Sequence, residues 1–422
     1  MRVFVVGASG FIGARLAVAL AAEGCEVVRG QRVVTRGLDG VVVDFARDQR
    51  PEDWLPRLRG VDVVVNAVGI LRERSTASFA AVHEQGPAAL FEACIRAGVP
   101  KVVQISALGA EPDAPTGYFR SKAAGDTLLS KLPLEWVIVQ PSHVFGASGA
   151  SATLLCGLAT LPEVPLPGAG DQPVQPIHVD DLVRALVRLI KSSEWNRSRV
   201  VAVGPEPLPL REVVASLRRQ LGLSPACFLR IPLSAMRLLA RLGSLRRDAL
   251  LDTDTLGMLL QGSTASPRDI AAVLGGPLRR ISSFIAPHEA RPLATAGRLW
   301  WLLGGLRAAV AVLWIASGVV SLGFYPTSAS YELLERVGLT GGPAVLALYG
   351  AALLDIAFGL AVYLVRRRRW LWRLQIGVVV TYSAIIALAL PEFWLHPFAP
   401  MLKNLPLLAA LVLLHELDDD GG

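Results

Sequence analysis

Four long apolar runs late in the chain constrain its fold more than any other feature. Residues 303–324, 341–365, 374–390 and 398–414 are each near the ~20 residues a helix needs to cross a bilayer. Trp300, Trp301, Tyr325, Trp370, Trp372 and Trp394 stand near the run ends, where interfacial aromatics belong. The 422-residue chain is 52% hydrophobic, with a mean hydropathy of +0.46, high for a soluble protein. Residues 301–417 are therefore expected to form an all-α bundle of four transmembrane helices. Core helices of a soluble bundle would explain the runs but not their aromatic and arginine flanks.

Charge orients the bundle. The net charge is +7, and Arg366, Arg367, Arg368, Arg369 and Arg373 supply much of it. Beside apolar runs such a cluster is a topology signal, cytoplasmic by the positive-inside rule, and not a nucleic-acid patch. The first helix then starts in the cytoplasm, and the Asp418–Asp420 tail ends there. Asp355 lies mid-helix, where a carboxylate is either functional or a helix–helix tie. Its depth nearly matches that of Lys403 at the rise of an α-helix, so the two are expected to pair, with Asn404 or Tyr349 assisting.

The first 145 residues have another character. Short apolar runs at Val3–Val6, Val27–Val28, Val41–Val43, Val63–Val65, Val102–Ile105 and Trp136–Val139 alternate with helical stretches, among them 79–97 and 119–132. Near-continuous apolar strands between helices mean a parallel sheet covered on both faces. The expectation is an α/β, doubly wound domain over 1–290, with a smaller substrate lobe over about 150–290 and a linker at 291–300. In the lobe, Pro232–Leu242 carries apolar residues at helical spacing opposite Arg237 and Arg241. That helix is expected to face the core, with the membrane surface as the alternative. The apolar start is interrupted at once by glycine and reads as a buried strand, not a signal peptide. Cys25, Cys94, Cys156 and Cys227 form no CxxC pair, so neither a metal site nor a disulfide framework is expected.

Gly7-Ala8-Ser9-Gly10-Phe11-Ile12-Gly13 follows the first strand and opens the first helix. Gly7 permits the tight turn, Gly10 lets backbone approach a pyrophosphate, and Gly13 lets helix and strand pack closely. The helix start presents free N–H groups to the phosphates, including those of Ser9, Phe11 and Ile12. The second strand ends without a carboxylate, in Arg29-Gly30-Gln31-Arg32. Arginine there suits a ribose 2′-phosphate, so NADP is preferred over NAD, with Arg32 the contact. Asp44 is placed to cap the next loop and meet the adenine. Asn66, Ala67, Val68 and Gly69 end the fourth strand, where small residues let the backbone run beside the cofactor.

Tyr118 and Lys122 form a YxxxK pair, which on a helix shares one face. The ammonium is expected to lower the phenol's pKa. The tyrosine can then exchange a proton with a substrate oxygen as hydride moves. Ser106 ends the fifth strand and can hydrogen-bond the same oxygen. His178 reads as a helix-start residue.

Several segments carry a resemblance: GASGFIG at 7–13, NAVGIL at 66–71, ISALGAEPDAP at 105–115, YFRSKAAGD at 118–126, QPSHVFG at 140–146 and QPIHVDDL at 175–182. Residues 1–290 resemble an atypical or extended short-chain dehydrogenase/reductase. The branch is the one holding the NADPH-binding accessory subunit of mitochondrial complex I and its bacterial relatives. The resemblance implies a Rossmann fold, bound NADP(H), a Ser106–Tyr118–Lys122 set, and Gln140, Pro141 and Ser142 lining the nicotinamide side. Members often carry arginine where this chain has Gln140 and asparagine where it has His83. The segment from His396 to Pro406 is similar to DoxX-like membrane domains.

The function expected is a membrane-anchored NADP-dependent oxidoreductase acting on a carbonyl, quinone-like or lipid-borne substrate. It would sit in a bacterial inner membrane with the Rossmann domain and the C-terminus cytoplasmic. The alternative is a non-catalytic NADPH-binding module of a membrane redox complex. An epimerase or dehydratase is the third reading.

Overall fold

Val3–Val6 is apolar at every position because both faces of its strand are covered. In the computed structural model, which describes residues 1–33, 40–73, 76–244, 252–365, 368–394 and 401–418, this strand lies inside a seven-stranded sheet. Its strands are β1 (Arg2–Val6), β2 (Glu26–Gln31), β3 (Val41–Val42), β4 (Val63–Asn66), β5 (Lys101–Ile105), β6 (Glu135–Pro141) and β7 (Ser198–Ala202). Every neighbouring pair is parallel, in the order β7-β6-β5-β4-β1-β2-β3. Alternate side chains feed two cores. Val3, Val5, Val63, Val65, Val103 and Val139 pack with α1 (Phe11–Ala22) on one face. Phe4, Val64, Val102 and Ile138 pack with α2 (Gly86–Ala97) on the other.

The chain divides into two compact units, Met1–Arg298 and Leu299–Gly422. In the first, strand order reverses beside β1, so a crevice opens past the carboxyl ends of β1 and β4. Residues 79–97 are not one α-helix: a π-helical stretch, Ala80–Gln85, precedes α2. Helix α3 (Gly117–Ser130) crosses that stretch closely. A Cβ on Gly125 would stand 2.4 Å from the His83 carbonyl oxygen. The lobe has its own core, with Phe145, Val164, Leu166, Leu210, Val213, Leu217 and Phe284. The amphipathic helix, α4 (Leu233–Ser244), does not face that core. Only Ala240 is buried, and Leu238, Leu239 and Leu242 are each more than half exposed, at 58%, 52% and 53%.

From Pro287 onward, helices stand where the apolar runs are, and three are long and apolar enough to cross a membrane. They are α5 (Pro287–Val319, prolonged by a π-helical turn to Phe324), α6 (Gly341–Leu364) and α7 (Arg369–Ala389). The fourth, α8 (Asn404–Leu417), has 14 residues, fewer than the ~20 a span needs; residues 398–400 of its expected range lie outside the described residues. Helices α5 and α6 approach closely through small residues, since a Cβ on Gly318 would stand 2.4 Å from the Ala352 carbonyl oxygen and one on Gly359 2.7 Å from that of Ala311. Trp314 Nε1 donates to Gln375 Oε1 at 2.9 Å, tying α5 to α7 inside the core.

Two expectations fail here. Asp355 is buried, and its carboxylate takes a hydrogen bond from Ser317 on α5, not from Lys403. Lys403 is exposed at the N-cap of α8, and Asn404 donates instead to Ser383 at 2.8 Å. Matching depth along a helix says nothing about which way a side chain points. Trp372 is not interfacial either: it is fully buried, and its Nε1 donates to Asp418 at 3.1 Å.

Candidate functional site

The glycine turn has the geometry a dinucleotide cradle requires. Gly7 takes φ +89°, and its amide donates to the Gly30 carbonyl at 2.9 Å. Gly10 is the N-cap of α1, with no side chain capping the first turn. The first-turn amides, from Phe11 and Ile12 onward, therefore lack a side-chain acceptor, and Ser9 and Gly10 beside them are exposed. A Cβ on Gly13 would sit 2.2 Å from the Gly7 carbonyl oxygen, and one on Gly7 3.0 Å from the Ala67 backbone. These glycines let strand, turn and helix pack closely, which brings the helix start to the strand end, where a pyrophosphate can meet its free amides. Phe11 lies under the Arg15 guanidinium, 4.7 Å from ring centre to carbon.

Across the crevice, Asn66 Nδ2 donates to Gln104 Oε1 at 2.8 Å and Asn66 Oδ1 accepts from the Val68 amide at 3.1 Å. The Val68–Gly69 backbone is thereby fixed beside β1. Arg32 is exposed one residue past β2. Asp44 caps its own turn, accepting from the Ala46 amide at 3.0 Å. The Val43 amide bonds to the Gln31 carbonyl at 3.1 Å, so Arg32 and Asp44 follow adjacent strand ends. At the end of β6, Gln140 and Ser142 are buried, the Pro141 carbonyl accepts from the Leu108 amide, and the Ser142 hydroxyl donates to the Gln175 carbonyl. Ser142 thus ties the end of β6 to the backbone of a distant segment at Gln175.

Ser106, Tyr118 and Lys122 are brought to one place. Lys122 is buried, and its Nζ donates to the Ile105 carbonyl at 3.1 Å and the Val68 carbonyl at 3.4 Å, bridging the ends of β5 and β4. A Cβ on Gly69 would meet this amine at 2.9 Å. The Tyr118 ring is partly buried among Phe79, His83 and Phe119, with centroids 6.2, 5.8 and 5.3 Å away.

Electrostatics differ from the sequence-based expectation. Burial, and then the charge of Asp126, push the Tyr118 phenol up to about 12. Burial outweighs the lowering expected from Lys122. Burial brings Lys122 down to about 8, with Asp126 opposing. The site therefore holds a neutral phenol.

Two residues escaped the sequence reading as members of the site. Asp126 is fully buried, accepts from the Ser106 hydroxyl and has Oδ1 unpartnered. Burial pushes its carboxyl up to about 6, against the Ser106 hydrogen bond and the charge of Lys122. Its spacing from Lys122 and Tyr118, four and eight residues on, was the available signal. His83 is the second. Its Nε2 accepts from the Ile70 amide at 3.1 Å, so Nδ1 carries the proton toward Ser121 Oγ, 2.8 Å away. Ser121 in turn donates to the Tyr118 carbonyl at 2.9 Å. Burial and then Lys122 hold the imidazole far below its usual pKa, so it stays neutral. His178 is the N-cap of the helix Val179–Lys191, as its sequence context suggests.

Residues 3–204 match the NAD dependent epimerase/dehydratase family and residues 311–412 the DoxX-like family. The mitochondrial NADH-ubiquinone oxidoreductase 40 kDa subunit of Neurospora crassa is 26% identical over 228 residues, covering 51% of this chain and 59% of that protein. The ceramide reductase of Caulobacter vibrioides is 26% identical over 235 residues, covering 54% of this chain and 73% of that protein. The solved UDP-glucuronic acid 4-epimerase of Bacillus cereus, in complex with NAD, superposes with a TM-score of 0.52 at 17% identity, over 69% of this chain and 99% of that one. This last likeness concerns the fold alone. The chain spans 59% and 52% of the length of the first two curated relatives it matches, both subunits of NADH dehydrogenases. Residues 3–204 thus form an epimerase-type, short-chain-dehydrogenase-like NAD(P)-binding Rossmann domain, and residues 311–412 a DoxX-like domain.

Proposed function

We propose that this protein is a membrane-anchored, NADP-dependent oxidoreductase that reduces a carbonyl, quinone-like or lipid-borne substrate. The observation that carries this reading is the convergence of Tyr118, Lys122 and Ser106 beside the glycine cradle, with Lys122 clamped between the Val68 and Ile105 carbonyls. Bound in the cradle, the dinucleotide supplies hydride chemistry. The chain's own part is proton supply and orientation. Tyr118, kept protonated by its surroundings, donates to the substrate oxygen, and Ser106 orients that oxygen. Lys122 holds the two strand ends together and places positive charge near the developing alkoxide. Arg32 favours a 2′-phosphate and hence NADP over NAD.

The ceramide reductase relative acts, by its name, on a lipid, and three helices apolar enough to span a membrane would bring such a substrate to the site. Arg307, Arg368 and Asp418 gather at one end of the bundle, which favours a common, cytoplasmic side for the first helix start, the arginine loop and the C-terminus in a bacterial inner membrane.

A second reading has its own support. The complex I relatives, and a phenol held far from ionisation, suit a non-catalytic NADPH-binding module of a membrane redox complex. Epimerase or dehydratase chemistry, common in the family, is third. Full-length protein in detergent, assayed for NADPH oxidation against aldehydes, quinones and long-chain keto lipids, separates them. Turnover that vanishes in Tyr118→Phe while NADPH still binds supports the reductase. Tight NADPH binding with no turnover anywhere supports the module.

A further inference from the structure

Helix α4 in the lobe carries its apolar stripe on the wrong side for a soluble protein. Ala235, Leu238, Leu239 and Leu242 follow the i, i+3, i+4, i+7 pattern that normally faces a core. The three leucines are exposed and Ala235 is half-buried, and Leu229 and Leu233 just before them are exposed as well. Arg237 and Arg241 stand one turn apart on the side of the helix away from the stripe, and neither makes an ion pair among the described residues. A helix with an outward apolar face and cations on its other face has the form of an interfacial helix, the long arginine side chains reaching headgroups above the acyl boundary.

We propose that α4 lies on the surface of an anionic lipid bilayer, with Leu238, Leu239 and Leu242 at the acyl boundary and Arg237 and Arg241 on headgroup phosphates. Two observations select lipid over a protein partner. The same chain carries three helices able to span a membrane, so the lobe is tethered to a bilayer. The charge on the helix's other face is cationic, complementary to acidic lipid headgroups. Docked this way, α4 would hold the lobe against the source of a lipid-borne substrate. The inference rests on the membrane-spanning reading of α5–α7 but not on reductase activity.

The test uses the full chain with Cys25 and Cys227 replaced by serine, leaving the buried Cys94 and Cys156. A nitroxide is attached at Leu239→Cys, or at Val18→Cys on α1 as an exposed control. The protein is reconstituted in vesicles of phosphatidylcholine with phosphatidylglycerol, and in phosphatidylcholine alone. Alkaline carbonate that fails to strip the protein verifies the spans separately; stripping overturns both readings. Collisional relaxation by oxygen should exceed that by a water-soluble nickel chelate at residue 239, and the reverse should hold at residue 18. Arg237→Gln with Arg241→Gln, or vesicles lacking phosphatidylglycerol, should raise nickel access at 239 several-fold. Nickel-dominated relaxation at 239 in the acidic vesicles overturns the proposal. Exclusion of both reagents overturns it too, since a protein surface would then cover the face. Indifference to both the arginines and the acidic lipid overturns the headgroup assignment.

Discussion

Ser106 donates its hydroxyl proton to the carboxylate of Asp126, a residue with no exposed surface. While Asp126 is ionised, that proton is taken, and Ser106 Oγ can only accept. A protonated Asp126 reverses the bond and frees the Ser106 proton for a substrate oxygen. The carboxyl's position near 6 puts this exchange close to physiological pH.

The first prediction concerns stability against pH. Asp126 titrates at about 6 when folded, against an ordinary value of 3.8. The folded state then holds the proton more tightly than the unfolded chain does. Its stabilising effect is full below about pH 4 and is lost as pH rises through 6. A shift of about two units corresponds to roughly 3 kcal/mol. Asp126→Asn removes this slope. Thermal unfolding in detergent from acid to neutral pH should show the parent losing stability relative to the variant. Parallel curves would mean that Asp126 is not strained by burial.

A second prediction follows from the crossing of α3 over the π-helical stretch. Gly125→Ala puts a Cβ 2.4 Å from the His83 carbonyl oxygen, a backbone atom that cannot swing away. Overpacking of this kind costs about 1–3 kcal/mol. The shift would also move His83 and the Tyr118 ring. Gly98→Ala meets nothing within 4 Å, but its φ of +72° still penalises alanine, so it serves as a control for backbone strain alone. Equal melting points and equal NADPH affinity for Gly125→Ala and the parent would show that the crossing is looser than described.

The third prediction is the cofactor. A charge-assisted bond from Arg32 to a 2′-phosphate is worth about 1.5–3 kcal/mol, or roughly ten- to a hundred-fold in affinity. NADPH should bind the full chain that much more tightly than NADH, and Arg32→Ala should erase the difference. Asp44, on the neighbouring strand end, works in the opposite direction, so Asp44→Asn should widen it. Equal affinities in the parent, or tighter NADH, would overturn the preference for NADP.

Much of this was legible from local pattern. The glycines at 10 and 13 imply a close approach to the turn at Gly7 that depends only on nearby residues, and the valine-rich strands announce a sheet buried on both faces. What could not be read depends on crossings between distant segments. Ser106 and Asp126 meet because α3 packs over the end of β5, and no spacing encodes that. The exposed face of α4 has the periodicity of a core helix, so its sequence pointed inward. Asp355 was matched to Lys403 by depth, but the azimuth of each helix decides the partner, and Asp355 turns toward Ser317.

The last prediction concerns the C-terminus. Asp418 reads as part of a solvated acidic tail, yet it is 3% exposed. Arg307 holds it at 2.6 and 3.2 Å through two nitrogens, Trp372 donates at 3.1 Å, and Arg368 stands 3.6 Å away. The residue thus ties the end of α8 to the start of α7 and to the middle of α5. Breaking one partner of a buried pair costs about 3–5 kcal/mol because a charge is left without compensation. The Arg307 side chain is a quarter exposed, at 25%, so water relieves part of that, and the low end is expected. Asp418→Asn and Arg307→Gln should each lower the melting temperature in detergent and the folded yield in membranes. The double variant should lose less than the two single losses added together, with a coupling of about 1–2 kcal/mol. Strict additivity would mean that the pair is a surface contact and that the C-terminus does not lock the bundle.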